Sequence, residues 1–77
     1  MDEQYVEESE LAGIAKKFRI AAGRSRADAA REMGIKQPSI FHAEESPDKS
    51  FTKLRCRMIE TYSKVHVTGP LFRLKRK

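Results

Sequence analysis

Between Ser25 and Glu44, helix starts and stops follow one another so closely that only short helices joined by a tight turn can fit. Ser25-Arg26-Ala27-Asp28 is a capping-box pattern, in which Ser25 accepts from the backbone of Asp28 while Asp28 reaches back to Ser25, so a helix starts at Arg26. It ends early, because Met33 is followed by Gly34, the residue that most easily takes the left-handed conformation closing a helix. Pro38 breaks a helix interior but not a first turn, where backbone N–H groups lack intrahelical partners. Lys36-Gln37-Pro38-Ser39-Ile40-Phe41-His42-Ala43-Glu44 therefore predicts a third helix from about Gln37 to Glu45, ending before Ser46-Pro47.

The flanks fill in the rest. Leu11, Ile14, Phe18 and Ala21 or Ala22 recur three and four apart with Lys16, Lys17 and Arg19 between them, which predicts an amphipathic first helix from about Ser9, its N-cap, to Ala22, stopped by Gly23. Pro47-Asp48-Lys49 reads as a turn. Ser50 is placed to cap a fourth helix whose apolar face is Phe51, Leu54, Met58, Ile59 and Tyr62. Beyond Ser63 the period changes: Val65 and Val67 alternate, Thr68-Gly69-Pro70 is a turn signal, and Leu71 to Lys75 suits a second strand. With 77 residues there is room for one core. The expected fold is mainly α: a bundle of four or five helices, with a short C-terminal β-hairpin allowed. The chain divides into an acidic segment 1–8, a helical domain 9–63, and a hairpin with basic tail 64–77.

Charge narrows the function. The first ten residues hold five acids and no base, so with +5 overall the remaining 67 carry +10. A body this basic attracts polyanions, nucleic acid first and acidic membrane next. The single Cys56 excludes an intramolecular disulfide, and no stretch resembles a signal segment or membrane span, so a reducing, cytoplasmic setting is expected. Cys56 itself reads as a partly buried thiol. His42 and His66 have no cysteine or carboxylate at ligand spacing, so neither a metal nor another cofactor is expected. Ser25, His42 and Asp28 make a triad only on paper, since Ser25 and Asp28 belong to the cap. The reading is not that of an enzyme.

The short helices around Gly34 carry the function. Ala30 is small where one helix approaches the other, Ile35 plugs the core, and Ile40 anchors the third helix, leaving Lys36, Gln37, Ser39 and His42 outward. Ser25-Arg26 through Ala29-Ala30, Met33-Gly34-Ile35, Gln37, Ile40 and Glu44 resemble the Cro/repressor-type (XRE) helix-turn-helix, and the resemblance covers about Leu11 to Tyr62. It implies a lambda-repressor-like bundle whose third helix reads a palindromic operator in double-stranded DNA. The dimer would bind two half-sites roughly one helical turn apart. Under it, Lys36, Gln37 and His42 fall on base-reading positions, Phe41 near a thymine methyl and Ser39 nearer the backbone. Arg26 stands where the family usually has glutamine, and would clamp phosphate. Arg24, Lys49 and Lys53 are the other expected phosphate contacts. The resemblance also implies an ion pair between Arg19 and Glu44, fixing how the reading helix sits.

A transcriptional repressor of phage or prophage type is thus the first expectation. Its rival is an antitoxin whose apolar C-terminal segment binds a toxin protein while the chain autoregulates its operon. An RNA binder ranks lower for want of aromatic stacking platforms. The helices already supply a core, so Val65, Val67, Leu71, Phe72 and Leu74 are assigned to a homodimer contact. The alternative is that the hairpin folds back on its own helices, with Tyr5 and Val6 alongside. Arg73, Lys75, Arg76 and Lys77 read equally as a solubilising tail or a DNA-contacting arm.

Overall fold

A computed structural model describes residues 3–68 and 72–76. Strand β1 (Glu3–Val6) leads through a 3-10 turn (Glu8–Glu10) into helices α1 (Leu11–Ala21), α2 (Arg26–Met33), α3 (Gln37–Glu45) and α4 (Thr52–Tyr62), followed by strands β2 (Val65–Thr68) and β3 (Phe72–Arg76). The mainly helical fold with a C-terminal hairpin is therefore present.

The punctuation around α2 and α3 acts as the sequence predicts. Ser25 Oγ accepts from the Asp28 N–H and the Asp28 carboxylate from the Ser25 N–H, both at 3.0 Å. Those bonds hold the Asp28 carboxyl below its usual range, helped by Arg31. Gly34 closes α2 at φ 67°, in the left-handed region, while the Ile35 N–H returns to the Ala30 carbonyl at 3.0 Å. Pro38 lies in the first turn of α3.

Two expected caps are corrected. Ser9 lies inside the 3-10 turn, whose start is closed by the Glu7 N–H donating to the Glu10 carboxylate at 2.7 Å. Glu10 then stands at the N-cap position of α1, without a side-chain cap bond. At α4 the cap position is Phe51, not Ser50, because the Phe51 N–H turns back to the Lys49 carbonyl and its own carbonyl takes the Arg55 N–H.

Leu11, Ile40, Met58 and Ile59 are wholly buried; side chains of this size contribute about 1.5–3 kcal/mol each on burial. Ala15, Ala29, Ala30 and Ala43 are buried among them, and their small size lets α1, α2 and α3 approach closely. α1 packs chiefly on α4, and α2 on α3.

The sheet follows the alternative arrangement, in which the hairpin folds back on its own helices with Tyr5 and Val6 alongside. β3 is the middle strand, antiparallel to both neighbours, with Leu74 opposite Gln4 on one side and Val67 on the other. Leu74 and Val6 are buried, and Val65 and Val67 pack against the same core. The apolar surplus assigned to a homodimer contact is thus absorbed within the chain for those three C-terminal residues; Leu71 and the Phe72 side chain lie outside the described residues. Glu3–Val6 joins this sheet, and Phe72–Arg76, the second strand of the expected hairpin, is its central strand. Among the described residues no helix is long and apolar enough to cross a membrane.

Candidate nucleic-acid interface

α3 is held from behind by charge. Glu44, with its side chain fully out of water, lies between two arginines. Arg19 of α1 donates from Nε at 2.5 Å and Nη2 at 3.0 Å, while Arg26 of α2 donates from Nε at 2.9 Å. The third nitrogen of Arg19 closes the α1–α2 turn on the Arg24 carbonyl at 2.6 Å. A planar guanidinium meets a carboxylate with two bonds at fixed angles, so this pair sets the orientation of α3 as well as its position.

A second buried cation escaped the sequence reading. Arg55 of α4 has no exposed surface, and its guanidinium donates to the carbonyls of Ala43, Lys49 and Ser46 at 2.8, 3.0 and 2.6 Å. It thereby satisfies the carbonyl end of α3 and the loop after it. The signal was available: Arg55 lies four residues after Phe51 and three before Met58, on the apolar face of its own helix.

The exposed side of α3 begins at its N-terminus. Lys36 and Gln37 are exposed, Ser39 is half-buried, and Phe41 is 45% exposed. Arg26, Gln37, Pro38 and Phe41 line one concavity, with the Arg26 guanidinium 5.0 Å from the Phe41 ring centre. Arg26 is therefore not a free clamp: it is held by Glu44 and Phe41, and its Nη2 donates to Glu45 at 2.6 Å. The same Glu45 oxygen accepts from Lys16 Nζ at 2.7 Å, and these contacts, that to Lys16 foremost, hold the Glu45 carboxyl below its usual range.

His42 is only partly outward. Its ring packs edge-on to Phe41 and stacks on Phe51 at 6.2 Å, with Nδ1 3.5 Å from Ser46 Oγ, so it joins α3 to α4. Arg24 is drawn elsewhere, to Glu32 at 3.0 Å, where it lines a cleft with Tyr62 and Lys64. The structure thus brings together Arg26, Gln37 and Phe41 and leaves Arg24 apart. Lys49 and Lys53 are exposed around the α3–α4 loop and, with Lys36, have no ion pair among the described residues.

Other polar groups bond within the fold. Tyr62 donates to Glu32 at 2.6 Å, and burial followed by that bond pushes its phenol up to about 12. The half-buried Cys56 thiol is pushed up, by burial first and then by Glu60 and Glu8. Among the described residues no cluster of His, Cys, Asp or Glu suits a metal ion; His66 sits 3.6 Å from Glu60. Comparison with family models, curated proteins and solved structures found no match.

Proposed function

We propose that this protein binds duplex DNA with α3 in the major groove and regulates transcription from the site it reads, as a repressor of phage or prophage type. The observation that carries the reading is the α2–α3 unit. Gly34 turns the chain so that α3 presents an exposed first turn beside the start of α2, and Glu44, Arg19 and Arg26 fix it in that pose.

The chemistry of that turn suits base edges. The Gln37 amide both donates and accepts, as adenine requires; the Lys36 ammonium suits guanine O6 or N7; and Phe41 offers an apolar ring to a thymine methyl. Lys36 at one end of α3, and Lys49 and Lys53 beyond the other, supply positive charge for the flanking phosphates. Against the antitoxin reading, Leu74 is buried and Val65 and Val67 pack partly buried on the chain's own core, which leaves less of the C-terminal segment for a toxin.

A palindromic operator and a two-fold dimer complete the proposal. β1, an outer strand, has no strand on its far side among the described residues and carries the 62% exposed Tyr5, whereas on β2 the Val65 and Val67 N–H groups already donate to Ser63 and Glu60. Selection of bound duplexes from a random pool tests the whole reading. A motif with inverted symmetry is expected, and a pool that stays random overturns it.

A further inference from the structure

Resting on that reading, we propose that Lys16 and Arg26 form a cradle for one DNA backbone phosphate, occupied in the free protein by the carboxylate of Glu45, which the phosphate displaces on binding. Both cations converge on a single oxygen, Glu45 Oε2, from two different helices: Lys16 Nζ at 2.7 Å from α1 and Arg26 Nη2 at 2.6 Å from α2. An anionic oxygen receiving two charged donors is the contact that a phosphate oxygen makes, and Glu45 holds that place intramolecularly.

The two neighbouring acids are built differently. Glu44 is wholly buried and holds Arg26 through Nε, whereas Glu45 has a side chain 34% exposed, as is 40% of Lys16. When Glu45 leaves, Arg26 stays in place, fixed by Glu44 and by the Phe41 ring beneath it. The cradle also adjoins the proposed reading surface, because Arg26 lines the same concavity as Gln37 and Phe41.

Energetics permit the exchange. A partly exposed ion pair holds its partners weakly and is screened by salt, while a phosphate contact also releases condensed counterions. Glu45 thus repels duplexes that do not seat closely, and yields where α3 docks fully. Its effect falls on non-specific binding first.

The test measures affinity for a random-sequence duplex over a range of salt. Glu45→Gln is expected to bind about three- to tenfold more tightly, with a log K against log salt slope steeper by about one ion. Asp48→Asn removes the same charge from an exposed acid in the next loop, and is expected to gain much less. Lys16→Ala placed on Glu45→Gln is expected to cancel the gain.

If Asp48→Asn gains as much, or Lys16→Ala leaves the gain intact, only net charge is at work and the cradle is overturned. Titration of Glu45→Gln with inorganic phosphate, followed by nitrogen-edited NMR of the Arg26 side chain, separates the two levels. A shift absent from wild type, in a protein that binds no duplex, keeps the cradle and removes the DNA reading. Duplex binding without the gain does the reverse.

Discussion

Arg55 carries a full charge with no exposed surface, which is tolerable because three carbonyls receive it. Replacing it by methionine keeps the volume but leaves the Ala43 carbonyl buried without that donor. Arg55→Met is expected to lower unfolding free energy by about 2–4 kcal/mol in urea melts; a loss within error of zero contradicts the role assigned to it. Glu44 is the mirror case. Removing it strands Arg19 and part of Arg26, so Glu44→Ala should cost about 3–5 kcal/mol, and Arg19→Ala with Glu44→Ala less than the sum of the two singles. An additive cycle rejects the coupling.

Tyr62 gives a pH signature at the same scale. Its folded phenol titrates at about 12 against an ordinary 10, so the stability it confers is whole below pH 10 and drains away as pH rises from 10 towards 12. Tyr62→Phe should abolish that part of the alkaline loss, which melts at stepped pH will show. The ion pair of Arg19 with Glu44 was legible through the family pattern. Arg55 was not, because a charged residue on an apolar helix face is normally read as a break in the face, and its partners are carbonyls that carry no sequence mark.

Among elements, the α2–α3 unit was readable because local chemistry determines it: a reciprocal cap, a glycine at φ 67° and a proline in a first turn act within four or five residues of themselves. β1 was legible only as the alternative that set Tyr5 and Val6 alongside the hairpin, since Glu-Gln-Tyr-Val gains a partner only across the whole chain, in Phe72–Arg76. Its loss should matter. Deleting residues 1–6 removes buried Val6 and bares an edge of the central strand, so the thermal midpoint is expected to fall and self-association to rise, read by calorimetry and sedimentation. An unchanged midpoint would show that the third strand adds nothing. Because His42 stacks on Phe51, His42→Ala should cost stability as well as any binding.

For the whole molecule, the charge pattern divides into cations already paired inside the protein and cations left to solvent. Arg19 and Arg26 set the pose of α3; Lys36, Lys49 and Lys53 face outward around it. On the proposed reading such a molecule would position itself on phosphates and distinguish sequences through few side chains, with the exposed Gln37 assigned to a base edge. Binding of Gln37→Ala to a selected duplex and to a random one, measured side by side with the wild type, tests that claim most directly. The account predicts a loss of about 1–3 kcal/mol on the selected duplex and almost none on the random one, with an unchanged thermal midpoint. An equal loss on both duplexes, or no loss on either, would contradict it.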